Sequence, residues 1–220
     1  MPFFKIKDKI ILFIHIPKSA GSSIEKILKF NEIEQSFLIQ KNNPISSVSP
    51  QHFTHDDYKL FFSKKFFDYS FAVIRDPIER FRSAFIFNSH KIPPILTVNN
   101  FLDLLKKNNF FYKRFDNHFV PSSRFINSET KLFLMDKNNT FINDIRVYLN
   151  TKLDQKILLP EETHINSAND KKVSTNVFKT FIKKTFQRSP GSLYSQDIEN
   201  KIKDIYAEDY ALIDKILKND

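Results

Sequence analysis

The chain of 220 residues contains no cysteine and only two glycines, and it has no long apolar run. Without cysteine it forms no disulfide bond and no thiolate zinc site. This composition suits a reducing compartment, so we expect a cytoplasmic protein. The apolar stretch from Ile10 to Ile16 is far too short to cross a membrane, which predicts no transmembrane segment. A peripheral contact with the inner membrane face stays open, because a basic surface can bind anionic lipid without insertion.

Glycine is so scarce that Gly21 stands out. Average usage of about 7% would give a chain of this length on the order of 15 glycines. Gly21 lies at the turn between the first predicted strand and the first predicted helix. We interpret it as a place where the backbone needs a conformation, or a closeness of approach, that a Cβ would forbid. An ordinary turn glycine is the alternative.

Positive charge dominates, with 34 lysines and arginines against 25 aspartates and glutamates. Such a surface attracts polyanions, including nucleotides, anionic lipid and acidic glycans. The excess is spread along the chain and forms no basic tail, so we expect no nucleic-acid partner. The 41% hydrophobic content, with 25 phenylalanines, is enough for a buried core. The length favours a single domain over residues 1–220.

Short apolar runs alternate with amphipathic segments along the chain. Strands that are buried on both faces read as continuous apolar runs, which fits Ile10 to Ile16, Tyr69 to Ile74 and Lys131 to Met135. One predicted helix starts at serines 22 and 23, which can cap it, and another runs from 77 through 89. Further helices are predicted over 54–64, 100–108, 139–150 and 195–218. This alternation predicts a mainly parallel α/β sheet.

The loop after the first strand contains Lys18, Ser19, Ala20, Gly21, Ser22 and Ser23. A helix N-terminus attracts anions because its dipole and its N–H groups point at the same spot. A lysine and several hydroxyls strengthen that attraction, so the loop is predicted to cradle phosphate or sulfate. It is not a Walker loop, because the lysine precedes the glycine. A classical nucleoside triphosphatase is therefore disfavoured.

A second candidate anion site follows the second strand. Arg75 ends that strand, and Ser83 lies two turns into the next helix. Both could converge at the carboxyl edge of the sheet, where open α/β sheets bind ligands. Guanidinium and hydroxyl groups suit phosphate oxygens. For Arg80 and Arg82, taken alone, a solvated or ion-paired helix face is the alternative.

Together the two segments resemble the sulfotransferases that use 3′-phosphoadenosine-5′-phosphosulfate (PAPS), most closely the branch that acts on glycans such as heparan and chondroitin. In that family a Pro-Lys-(Ser/Thr)-(Ala/Gly)-Gly-(Ser/Thr)-(Ser/Thr) loop holds the 5′-phosphosulfate. An Arg-(Asp/Asn)-Pro-x-x-Arg-x-x-Ser segment holds the 3′-phosphate. The resemblance implies a P-loop-like three-layer fold, with a mainly parallel central sheet flanked by helices. The nucleotide-binding residues that it implies are Lys18, Ser19, Ala20, Gly21, Ser22, Ser23, Arg75 and Ser83.

The resemblance extends to three further segments. Gln51-His52-Phe53 is similar to the segment that places a histidine near the acceptor, with His55 close by. Asp116-Asn117-His118-Phe119 resembles a substrate-side loop, so His55 and His118 are predicted to bind substrate. Residues 206–210 resemble the C-terminal helix of these enzymes. Within 160–194, the segments 164–166 and 188–191 are candidates to close over the nucleotide.

These assignments imply an in-line displacement. Lys18 would stabilise the charge on the leaving oxygen, and His52 would take the proton of the acceptor hydroxyl. His55 remains a competing candidate for the base. We expect no metal, because the carboxylates form no apparent ligand cluster and lysine can serve in its place. The product would be adenosine 3′,5′-bisphosphate.

The acceptor and two other classes of function stay open. The basic surface fits an acidic glycan, but it also fits a lipid-linked sugar at a membrane face. A kinase-like phosphotransferase would instead require magnesium and bind ATP. A non-catalytic nucleotide- or polyanion-binding module would keep the cradle without the chemistry.

Overall fold

A five-stranded sheet with the order β3-β1-β2-β4-β5 forms the centre of the computed structural model. The structure describes residues 1–38, 47–108, 111–154, 156–159 and 194–219. The strands are β1 (Phe3–Ile6), β2 (Lys9–Ile14), β3 (Gln35–Ser36), β4 (Tyr69–Ile74) and β5 (Lys131–Leu134). β2, β4 and β5 are parallel, whereas β1 is antiparallel to both of its neighbours. The sheet is therefore mostly parallel at its centre.

The three predicted strands are confirmed, and two others were not predicted. β1 lies in an N-terminal stretch whose lysines interrupt the apolar pattern, and β3 has only two residues. The strand predicted at Ile10 to Ile16 ends at Ile14 and is the second strand of the chain, not the first. Short strands carry weak sequence signals when only some of their residues are buried, and in β1 buried and exposed residues are mixed.

Helices cover both faces of the sheet, which explains why its central strands are apolar throughout. On one face Phe13 and Phe71 pack against α1 (Gly21–Phe30) and α5 (Thr140–Leu153). On the other face Ile14 and Ile74 pack in a cluster that includes residues of α2 (His55–Tyr58) and α7 (Ala207–Asn219). Successive side chains of a strand point to opposite faces, so both alternating sets are buried.

A third cluster, rich in phenylalanine, joins the remaining helices. It contains residues of α3 (Pro77–Phe87), α4 (Val98–Lys107) and α6 (Gln196–Ile205), with Phe81, Phe101 and Phe119 at its centre. The rings of Phe101 and Phe119 meet edge to face, with centroids 4.8 Å apart. This cluster supports the loop that follows residue 115, which carries part of the site described below.

Most predicted helices are confirmed, and two of them differ clearly in their bounds. The helix predicted over 54–64 is the single turn of α2, and the one predicted over 195–218 is divided into α6 and α7 at Tyr206. In α3, Asp76 caps Glu79 N at 2.9 Å with proline at the first position, as predicted. In the described part of the chain, each helix is too short or too polar to cross a membrane.

Candidate active site at the carboxyl edge of the sheet

The loop between β2 and α1 has a left-handed backbone at two residues that are not glycine. Lys18 has a φ of 67° and Ala20 a φ of 59°, and Ala20 is the N-cap of α1. Ser22 and Ser23 therefore lie in the first turn of the helix and do not cap it, contrary to the prediction. The loop still brings Lys18 and the first N–H groups of α1 to one place, which is the arrangement of an anion site.

Gly21 is needed because the ring of His15 packs directly on it. A Cβ at Gly21 would lie 2.6 Å from Cε1 of His15 and still closer to Nε2 and Cδ2. The close approach predicted at this glycine is thus present, and the approaching group is a side chain of the same loop. His15 Nδ1 in turn lies 2.6 Å from Oε1 of Glu25 in α1. His15 therefore fixes the loop to the helix that it precedes.

Arg75 connects the two predicted anion-binding segments. It follows β4, next to the parallel strand that leads to Lys18, and its Nη1 donates to the Lys18 carbonyl oxygen at 3.2 Å. Its Nη2 lies 3.4 Å from Glu79 Oε2. Burial lowers the pKa of Arg75, although the neighbouring carboxylates act against this. Ser83 lies further along α3 with a partly buried side chain.

His52 is buried and held by an aspartate that lies far away in the sequence. It ends a short 3-10 turn (Pro50–His52), and its Nδ1 lies 2.7 Å from Asp116 Oδ2. Ser49 donates to the same carboxylate from its backbone N–H at 2.6 Å and from its hydroxyl at 2.7 Å. Asn117 Nδ2 donates to the carbonyl oxygen of His52 at 3.0 Å. These contacts fix the orientation of the imidazole.

Burial dominates the ionisation of this pair. It lowers the pKa of His52 to about 4, even though the hydrogen bond to Asp116 acts in the opposite direction. Burial alone would raise the pKa of Asp116, but the hydrogen bonds from His52 and Ser49 outweigh it and hold that pKa below its ordinary value. At neutral pH His52 is therefore an uncharged imidazole beside a carboxylate, which is the form that a general base requires.

His118 lies next to His52, with ring centroids 5.0 Å apart. Its Nδ1 is 2.8 Å from Asn88 Nδ2, and its ring meets the edge of Phe87 with centroids 5.0 Å apart. Burial is the main cause that lowers the pKa of His118 well below its ordinary value. On the other side of His52 is His15, with ring centroids 5.1 Å apart. We call His15, His52 and His118 the histidine row.

Lys18 reaches the same place from the loop. Its Nζ lies 4.2 Å from the centroid of the Phe87 ring, which also contacts His118. The positive charge of Lys18 is one of the influences that lower the pKa of His118, after burial and the neighbouring His52. The lysine of the anion loop and the buried histidines thus surround a common region at the carboxyl edge of the sheet.

A buried ion pair holds the loop that carries His118. Arg80 is only 1% exposed, and it donates to the Val120 carbonyl oxygen at 2.8 Å. Asp209, from α7, lies 3.6 Å from Arg80 and accepts the backbone N–H groups of Ser122 and Ser123. The sequence analysis gave a solvated or ion-paired helix face as the alternative for Arg80. Arg80 is indeed ion-paired, but the pair lies in the interior and not on a solvated face.

A family model described as the sulfotransferase family matches residues 1–214. The chain belongs to the sulfotransferase family. No curated protein and no solved structure matches it. The family resemblance that the two anion-binding segments predicted is thereby confirmed, and the activity that it supports is transfer of a sulfuryl group.

Sequence reasoning predicted several of the residues that meet at this candidate site and missed others. Lys18, His52 and His118 come together, whereas His55 begins α2 and packs its ring on Tyr58 with centroids 5.1 Å apart. Asp116 and Asn88 were not predicted to contact these histidines, since they lie 64 and 30 residues away from their partners. The only sequence signal for Asp116 was its place in the segment 116–119, which resembles a substrate-side loop of the family. The segments 164–166 and 188–191 lie outside the described residues.

The sulfotransferase also contains a group of side chains that could ligate a metal ion. Within the described ranges, His52, Asp116 and His118 each offer one ligand atom, and these atoms lie within 4.8 Å of one another. The observation corrects the expectation that the carboxylates take part in no such cluster. The hydrogen bonds described above already use Nδ1 of both histidines. The absence of a metal requirement stays a prediction.

Proposed function

We propose that this sulfotransferase transfers a sulfuryl group from PAPS to a hydroxyl of a carbohydrate acceptor, with His52 as general base and Lys18 at the leaving group. The observation that carries the proposal is the pair formed by His52 and Asp116, 2.7 Å apart, in the same region as Lys18. In-line group transfer needs a base for the acceptor proton and a positive charge near the leaving oxygen. A neutral histidine oriented by a carboxylate can be that base, and the nearby lysine supplies the charge.

The loop residues fit a phosphosulfate group. The hydroxyl of Ser19 is buried and has no hydrogen-bond partner among the described residues. Next to it are the first N–H groups of α1 and the side chain of Lys18, which together form a donor set for anionic oxygens. We infer that this loop holds the 5′-phosphosulfate, and that Arg75 and Ser83 hold the 3′-phosphate.

The proposed reaction breaks the bond between sulfur and the bridging oxygen of the phosphosulfate and forms a bond between sulfur and the acceptor oxygen. His52 Nε2 takes the proton of the acceptor hydroxyl, because its Nδ1 already donates to Asp116. Lys18 stabilises the negative charge that remains on the 5′-phosphate. The other product is adenosine 3′,5′-bisphosphate, and lysine supplies the charge for which phosphoryl transfer commonly uses a metal ion.

The remaining parts of the proposal concern the acceptor, the fold lineage and the location. The net charge of +9 favours an anionic acceptor, either an acidic glycan or a lipid-linked sugar at the inner membrane face. We propose a cytoplasmic protein, which could bind that face peripherally, and a P-loop-like origin for the single domain.

The direct test is transfer of radiolabelled sulfate from PAPS to a panel of heparan-type, chondroitin-type and lipid-linked sugars. We expect labelled product without added metal, and a rate about two to three orders of magnitude lower from the Lys18→Ala variant. A parallel reaction with labelled ATP and magnesium tests the kinase-like alternative. Binding of adenosine 3′,5′-bisphosphate without transfer to any acceptor would favour the binding module, and phosphate transfer from ATP would overturn the proposal.

A further inference from the structure

The hydrogen bonds of Asn88 define the protonation of His118. Asn88 Nδ2 lies 2.9 Å from the Ala84 carbonyl oxygen, which can only accept. This contact fixes which end of the amide carries the nitrogen, because a flipped amide would place two acceptors together. The second hydrogen of the same NH₂ group points to His118 Nδ1 at 2.8 Å. His118 Nδ1 is therefore an acceptor, and the proton of this neutral ring is on Nε2.

His52 has the opposite arrangement. Its Nδ1 lies 2.7 Å from the Asp116 carboxylate, which accepts, so the proton of His52 is on Nδ1. Its Nε2, which lies 3.3 Å from the Gln51 amide, then carries the lone pair. The two adjacent rings thus differ at Nε2. In His52 this nitrogen can accept a proton, whereas in His118 it carries an N–H group that can donate a hydrogen bond.

The position of His118 places this donor between the two ends of the proposed reaction. One neighbour of His118 is His52, the proposed base. The other is Phe87, whose ring is in contact with Lys18 Nζ. During in-line transfer the sulfur moves from the leaving oxygen near Lys18 to the acceptor oxygen near His52. The non-bridging oxygens of the sulfuryl group then lie to the side of that path, and His118 is the residue that contacts both His52 and the Phe87 ring under Lys18.

We propose that His118 Nε2–H donates a hydrogen bond to a non-bridging oxygen of the sulfuryl group during transfer, and that Asn88 is the positioning residue that keeps this proton on Nε2. The inference rests on the proposed function. The proton of His118 stays on its nitrogen throughout, while the acceptor proton moves to His52. A preorganised donor of this kind acts on the transition state without any reorganisation of its own.

The first experiment measures the tautomers directly and requires no activity. Two-bond ¹H–¹⁵N correlation spectra of histidine-labelled protein distinguish a proton on Nδ1 from one on Nε2. We expect His118 as the Nε2–H form and His52 as the Nδ1–H form, with assignments taken from His118→Gln and His52→Gln. In Asn88→Asp the new carboxylate can accept from Nδ1, so the His118 proton should move there. An Nδ1–H or doubly protonated His118 in the wild type would overturn the inference.

The second experiment compares two variants at the same site in the sulfate-transfer assay. Glutamine can place an amide N–H near the position of Nε2, whereas leucine removes the donor. We expect His118→Leu to lower kcat by about 10²–10³ and His118→Gln to recover at least about tenfold of that loss. Both variants should bind adenosine 3′,5′-bisphosphate within about twofold of the wild type, a readout that also verifies folding.

The outcomes distinguish this inference from the proposed function. If the wild type transfers sulfate and His118→Leu does so almost equally well, the role of His118 is wrong and the enzyme class stands. If the wild type transfers no sulfate to any acceptor, the proposed function fails and this role fails with it. His90→Leu, in an exposed turn close to Asn88 along the chain, is the matched control and should leave kcat unchanged.

Discussion

The imidazole of His15 occupies the space that a side chain on Gly21 would need. Because that ring is buried and its Nδ1 is 2.6 Å from Glu25, it has little room to move. We expect Gly21→Ala to lower the free energy of unfolding by about 1–3 kcal/mol, as overpacking commonly does. Urea denaturation measures this loss. In a double-mutant cycle His15→Ala should remove most of the Gly21→Ala penalty; an equal penalty in both backgrounds would mean that the loop backbone, and not the ring, demands glycine.

Lys18→Ala tests the charge at the leaving group. We expect turnover to fall by about two to three orders of magnitude, the scale of losing one electrostatic donor in an active site. Affinity for adenosine 3′,5′-bisphosphate should change less, because the N–H groups of α1 and the side chain of Arg75 remain. Steady-state kinetics with PAPS measure the first quantity and calorimetry the second. Lys29→Ala, at the exposed end of the same helix, is the control. Near-normal turnover of Lys18→Ala would contradict the proposed mechanism.

Two histidines that are three positions apart test the assignment of the base. His52→Ala should reduce kcat by about 10²–10⁴, the range of general-base catalysis, while PAPS binding persists. His55→Ala should have a milder effect, since His55 contacts Tyr58 on α2. Asp116→Asn should also lower kcat, because an amide that donates to Nδ1 would shift the proton of His52 to Nε2. A larger loss in His55→Ala than in His52→Ala would reassign the base within the same enzyme class.

The 3′-phosphate is the feature that separates PAPS from ATP, and we expect Arg75 to recognise it. A charge-assisted contact contributes roughly 1.5–3 kcal/mol, so adenosine 3′,5′-bisphosphate should bind at least about tenfold more tightly than AMP without added metal. Arg75→Ala should erase most of that preference and Ser83→Ala less of it. Because Arg75 also donates to the Lys18 carbonyl oxygen, a small loss of AMP affinity is expected as well. Calorimetry with both nucleotides is the measurement, and Arg82→Ala is the control. Equal affinity of the wild type for AMP and the bisphosphate would count against PAPS.

Buried histidines predict that the protein loses stability in mild acid. The folded-state pKa of His52 is lowered from 6.5 to about 4, so between these values the unfolded chain binds a proton that the folded chain does not. The free energy of unfolding should therefore fall by about 1 kcal/mol per pH unit below pH ~6.5, and His118, whose pKa is lowered too, adds to the slope. The stabilising contribution of Asp116, whose pKa is below its ordinary 3.8, is lost only at lower pH.

Urea unfolding at several pH values between about 7 and 5 measures this slope. His52→Gln should make it shallower, because glutamine does not titrate. His55→Gln, at the partly exposed start of α2, should leave it nearly unchanged. A wild-type stability that stays constant over this range would show that folding does not lower the pKa of His52.

The parts of the structure that sequence reasoning predicted are those with local signals. A buried apolar run identified β4, and Asp76 followed by proline identified the start of α3. The pairing of His52 with Asp116 had no such signal, because it depends on how a loop packs after the sheet has formed. The same holds for Gly21, whose partner His15 lies only six residues away but contacts it across a turn with a left-handed backbone at Lys18 and Ala20. Composition indicated that this glycine mattered, and only the three-dimensional structure gives the reason.

The ion pair between Arg80 and Asp209 has a consequence for the order of events during synthesis. The loop with His118 depends on Asp209, which accepts the N–H groups of Ser122 and Ser123 and is fully buried. Until Asp209 leaves the ribosome, Arg80 would be a buried charge without its carboxylate, an arrangement that folded proteins avoid. The nascent chain can therefore assemble the sheet and the Lys18 loop early, but it cannot complete the histidine row until Asp209 has been made. A ribosome that stalls before residue 209 releases a chain that is unable to position His118.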